Sequence, residues 1–65
     1  MLVRFIGEDQ KELEPAPMWV TRENVPAVGD RVRAEKDDTV AYYLVVDKLW
    51  NPSGNEVYVT LQRQK

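Results

Sequence analysis

The chain has 65 residues, of which 43% are hydrophobic and 31% charged, and it carries neither His nor Cys. Such a composition suits one small folded domain, and its zeros exclude a disulfide framework, a thiolate zinc site, a Cys nucleophile and a His general base. Nine basic against eleven acidic residues leave a net charge of −2, and no block of like charge is longer than a pair, so neither a polyanion-binding stripe nor a strongly acidic surface is present.

Val outnumbers Leu and Ile combined, a β-branched excess that favours strands. Leu2-Val3-Arg4-Phe5-Ile6 reads as the first strand, stopped by Gly7-Glu8-Asp9. Too little in these first residues is basic to make a signal peptide, and the longest apolar run, Val40 to Val46, is too short to span a bilayer. The expected compartment is the cytoplasm, with no membrane partner. Residues 10–14 are expected to return as an edge strand with Leu13 pointing inward, because Pro15 and Pro17 leave room for no more than a turn of helix. Met18-Trp19-Val20-Thr21 is a short β-prone patch.

Gly29-Asp30 is a turn pair, followed by the strict polar/apolar alternation of Arg31-Val32-Arg33-Ala34-Glu35, the pattern of a half-buried strand. After the turn Lys36-Asp37-Asp38-Thr39, the strongest element runs from Val40 to Trp50. At ~3.3 Å per residue such a strand is too long to stay straight in a small domain, so it must bend or bulge. Asn51 to Asn55 forms the next turn and Glu56 to Gln62 the last strand.

A five-residue loop at 51–55 sets Trp50 opposite Glu56. Tyr43, Val45, Asp47 and Leu49 then share the core face with Val57, Val59 and Leu61, while Tyr42, Lys48, Trp50 and Tyr58 share the other. An unpaired carboxylate inside a core is costly. Either a bulge turns Asp47 outward, or an Arg such as Arg33 or Arg63 meets it. The second face of the long strand is also apolar and needs a cover. Met18, Trp19 and Val20 could fold over it, or a partner could occupy it.

Four or five short strands separated by Gly, Pro, Asn and Asp turns predict an all-β single domain over residues 1–65, a small barrel of about five strongly bent antiparallel strands, SH3-like or alternatively OB-like. Val25-Pro26-Ala27-Val28-Gly29-Asp30-Arg31-Val32 resembles the apolar-Pro-x-apolar-Gly-Asp-x-apolar turn of SH3-like barrels, among them short uncharacterised bacterial and phage proteins. Their Tyr-containing strand, following aromatic, polar turn and final Val-Tyr-Val strand have counterparts in Tyr43 to Val46, Trp50, Asn51 to Asn55 and Val57-Tyr58-Val59. The resemblance covers residues 25–62, and the longer Pro15 to Asn24 stretch with Trp19 departs from it. It implies an SH3-like fold and a phage- or prophage-encoded accessory or inhibitor protein that docks on a larger partner.

The chemistry of the residues agrees with a non-catalytic protein. Ser53 lies in a Pro-Ser-Gly turn with no base to activate it, and Glu8-Asp9 and Asp37-Asp38 read as solvated turn residues. No phosphate-binding glycine loop, acidic calcium loop or cofactor motif is present, so no enzyme, metal or cofactor is expected. Function is therefore sought in the surface. Trp50, Tyr58, Tyr42 and Trp19, with Lys48, are the candidate protein-binding residues. A small nucleic-acid-binding barrel using Arg31, Arg33 and Lys48 is the alternative, and a homo-oligomeric assembly a further one.

Overall fold

The computed structural model describes residues 1–11, 13 and 17–64, with the side chain of Lys36 left aside. Five strands, β1 (Leu2–Gly7), β2 (Met18–Trp19), β3 (Arg31–Lys36), β4 (Thr39–Asn51) and β5 (Glu56–Gln64), form one curled sheet in the order β2-β1-β5-β4-β3. The fold is a half-barrel, almost all β. A single 3-10 turn at Arg22–Asn24 is the sole helical piece among the described residues. No helix is long and apolar enough to cross a membrane among them.

The sheet is mixed, which corrects the expectation of antiparallel strands throughout: β1 runs parallel to β5, from Leu2 opposite Glu56 to Gly7 opposite Leu61. Alternation within a strand is the same for either direction, so the sequence pattern carries no sign of it. Val3, Phe5, Val57, Val59, Leu61, Tyr43, Val45 and Ala34 form the core on one side of this sheet. β3 keeps its alternation, with Ala34 buried while Arg31, Arg33 and Glu35 face solvent.

The long strand bulges where a bend was needed. Val45 pairs with Leu61, but Asp47 pairs with Thr60, so Val46 is the extra residue. Asp47 is exposed, and its carboxylate accepts a hydrogen bond from the Lys48 backbone N–H at 2.8 Å. The bulge therefore answers the Asp47 problem without an Arg partner. Beyond it the register is one residue off the expected one: Trp50 faces Val57, Asn51 closes the hairpin against Glu56, and the loop is 52–55. Lys48 and Trp50 consequently join the side of Val59 and Val57, whereas Leu49 joins Tyr58 on the outer face.

The Gly-Asp turn anchors this bulge. Asp30 N–H donates to the Ala27 carbonyl at 2.9 Å and Gly29 takes a φ of +97°, the type II arrangement in which the third position favours Gly. The Asp30 carboxylate accepts from Ala27 N–H at 2.9 Å. Gly29 N–H donates to the Val45 carbonyl, and Val45 N–H donates to the Asp30 carbonyl, both at 2.9 Å. The turn thus grips β4 at the residue just before the bulge.

At the N-terminal side, Gly7 to Lys11 reverses the chain, and Leu13 N–H donates to the Phe5 carbonyl at 2.9 Å. Leu13 is half-buried against the core, as an inward edge residue should be. The remainder of the strand expected over 10–14 includes residues 12 and 14, which lie outside the described residues. Met18 and Trp19 pair with Val3 and Leu2 at the far edge of the sheet, so they do not cover the exposed Trp50.

Two substitutions in turns test this backbone. Asp37 and Asp38 occupy the two central positions of a type I′ hairpin with φ of 49° and 66°, where Gly is favoured at the second. Asp38→Gly is expected to stabilise the domain by a few tenths to about 1 kcal/mol. Nothing lies within 4 Å of a Cβ built on Gly29, so Gly29→Ala isolates backbone strain. It should cost about 1–2 kcal/mol, lowering Tm by roughly 4–8 °C per kcal/mol in a domain this small. Urea and thermal melts of both variants read the opposite signs.

Candidate docking surface

Three neighbouring rungs at the β4–β5 hairpin end carry exposed large apolar side chains. Trp19, Leu2, Glu56 and Asn51 form one rung, Met18, Val3, Val57 and Trp50 the next, and Arg4, Tyr58 and Leu49 the third. Trp19 is 71% exposed, Leu49 65% and Trp50 55%. Both tryptophans therefore sit at one end of the sheet, Trp50 on the core side and Trp19 on the outer side.

The chain start is latched to this end. The Met1 ammonium donates to the Val20 carbonyl at 2.9 Å, and Val20 N–H donates back to the Met1 carbonyl at 3.0 Å. The 3-10 turn follows directly, held by Asn24 N–H to the Thr21 carbonyl and Asn24 Nδ2 to Thr21 Oγ1, at 3.0 and 3.1 Å. Arg22 and Val25, at the two ends of this turn, line an open depression of about 380 Å³ together with Met1, Lys48, Trp50 and Val57. Its lining carries the cationic side chains of Arg22 and Lys48 and no acidic one, with the Met1 ammonium bonded to the Val20 carbonyl.

On the outer face a polar cluster is built around Glu56. Arg4 Nε donates to Glu56 Oε2 at 2.9 Å, while the Tyr58 hydroxyl and Asn51 Nδ2 donate to Oε1 at 3.2 and 3.3 Å. The Glu56 side chain is only 16% exposed. The Arg4 hydrogen bond, first among the causes and aided by Tyr58 and Asn51, holds its carboxyl below the usual carboxylate range, against the opposing effect of partial burial.

The candidate residues do not fall together. Tyr58 lies on the outer face, where its hydroxyl is committed to Glu56, and Trp50 and Lys48 lie on the other. Tyr42 is exposed on the outer face but pairs with Gln64 and Arg33, eight residues and roughly 26 Å of strand away from Trp50. Arg31 and Arg33 share that distant region. The Arg33 guanidinium pairs with Glu35, and its pKa is raised by a Tyr42 hydrogen bond first and by the Glu35 charge next. Lys48 is thus separated from both arginines by the thickness of the sheet. Sequence reasoning missed Met1, Arg22, Val25 and Leu49. The unshifted register puts Leu49 in the core, and nothing local marks Arg22, whose place depends on how the 18–25 segment docks.

A second depression, about 320 Å³, lies at the β3–β4 hairpin end, lined by Ala34, Glu35, Asp37, Thr39, Ala41, Tyr43 and Arg63. Its charges are of both signs. No family model, no curated protein and no solved structure matches the chain.

The lowered Glu56 pKa has a definite pH signature. A carboxylate with a depressed folded pKa contributes stability that is present above its unfolded value, about 4.3, and is lost as pH falls through the folded value. Glu56→Gln should therefore be less stable than the parent chain at neutral pH, with the difference shrinking as pH drops below about 4.3. Urea denaturation of both proteins between neutral and strongly acidic pH measures it. An unchanged gap across that range would show that the charge of Glu56 contributes nothing.

Proposed function

We propose that this chain is a non-catalytic protein-binding module of the cytoplasm, an SH3-like small barrel that docks on a larger protein through the tryptophan-bearing end of its sheet. In the sense of the resemblance carried by Val25 to Val32, it is a phage- or prophage-type accessory or inhibitor protein. The observation that carries this reading is the exposure of Trp19, Trp50 and Leu49 on three adjacent rungs of a chain of only 65 residues. Aromatic side chains of this size are the usual anchors of protein interfaces, and exposing two tryptophans at one end has no benefit to the isolated fold.

The surface also supports docking over the alternative. A phosphate-tracking site wants several cations on one face beside a stacking aromatic. Arg31, Arg33 and Tyr42 do share the outer face. Arg33 is already engaged by Glu35 and Tyr42, however, and Lys48 lies on the opposite face. Oligonucleotide binding that falls steeply with salt and is lost in Arg31→Gln would favour that reading instead. Self-association of the exposed end would appear in light scattering as a mass that grows with concentration.

The direct test is capture of the partner from the native host, followed by affinity measurement with Trp50→Ala and Trp19→Ala. Both residues are more than half exposed, so the variants should fold. At least one of them is expected to weaken the complex roughly 30-fold, the scale of an interface anchor at about 2 kcal/mol. Affinity unchanged in both would overturn the reading.

A further inference from the structure

The depression beside Trp50 is positively charged in a net acidic protein. The protein as a whole is at −2, yet the only charged side chains among the six that line this depression are Arg22 and Lys48. Neither makes an ion pair with any other described residue. Asp47 follows the register of Thr60 to the other face and does not neutralise Lys48. Beneath these cations the lining is apolar, made by Met1, Val25, Val57 and the Trp50 ring.

We propose that this depression takes an acidic segment of the docked protein. An apolar side chain of that segment sits against Trp50, Val25 and Met1, and a neighbouring Asp or Glu carboxylate is held by Arg22 and Lys48. This rests on the docking function proposed above and names the chemistry of the partner. The two cationic side chains match one or two carboxylates. A nucleic acid would need a longer cationic track to overcome repulsion from a net acidic protein. A free small molecule would be poorly enclosed, because such ligands bury about 70–90% of their surface and this depression is open. The volume of about 380 Å³ is ample for one large apolar side chain at an interface. Arg22 supplies a planar fork for a carboxylate, and Lys48 a second charge on a flexible stem.

Selection from a displayed library of random peptides tests the assignment directly on the intact chain. Enriched peptides are expected to carry Asp or Glu close to Leu, Phe or Trp, and an enriched peptide should move the Trp50 indole N–H signal in an NMR titration. Arg22→Glu with Lys48→Glu should weaken that peptide at least about tenfold while leaving the thermal melt unchanged, because both side chains are exposed. Absence of enrichment, enrichment without an acidic bias, or affinity indifferent to the charge reversal would each overturn the proposal. Displacement of the peptide by a short oligonucleotide at comparable concentration would reassign the cations to phosphate. If the tryptophan variants lose the native partner while the selection shows no acidic preference, docking stands and only the acidic character of the partner is refuted.

Discussion

One extra residue in β4 governs the molecule. Side chains alternate along a strand with a period of two, so inserting a single unpaired residue exchanges the two faces for everything beyond it. Val46 is that residue. Before it, Tyr43 and Val45 are buried against the core; after it, Lys48 and Trp50 take the core side at the rim, while Asp47 and Leu49 turn away. The bulge removes a carboxylate from the interior and bends a strand of 13 residues within a body 34 × 22 × 21 Å. It also sets Trp50 above Val57, next to the chain start.

The position of the bulge is held from outside β4. Gly29 and Asp30 bond both backbone groups of Val45, and Asp30 locks its own turn through Ala27. The Val-Pro-x-Val-Gly-Asp segment is thereby explained by the backbone: Gly29 supplies a positive φ and Asp30 a cap. Val25, at the start of the same segment, lines the Trp50 depression. A structural turn and a candidate site are thus two ends of one short stretch of chain. On the other edge, the Met1–Val20 bonds and the β1–β2 pairing bring the 18–25 segment to the same end.

The strands themselves were legible in the residues because each carries its signal locally. The alternation of Arg31 to Glu35, the unbroken apolar run before Trp50 and the Asp-Asp and Pro-Ser-Gly-Asn turns mark their own elements. The need for a bulge near Asp47 was also legible, since a lone carboxylate among Val45 and Leu49 conflicts with burial. Its consequence for Trp50 was not, because an Arg partner for Asp47 would have met the same need without exchanging the faces beyond it. The candidate site suffered for this reason. Tyr42, Tyr58, Trp50 and Lys48 line up on one side of an unbulged strand, and the true register divides them.

Composition and alternation by themselves determined that this is a small all-β domain without His or Cys chemistry, bent in its longest strand, which is apolar on both faces. Only the tertiary structure decided which aromatics are neighbours, that β1 runs parallel to β5, and that Arg22 meets Lys48 beside Trp50. The physical reason is range. Strand propensity and alternation depend on residues one or two apart, whereas register, strand direction and the docking of the 18–25 segment are settled by hydrogen bonds between residues from 15 to more than 50 positions apart, whose cost and gain no local pattern records.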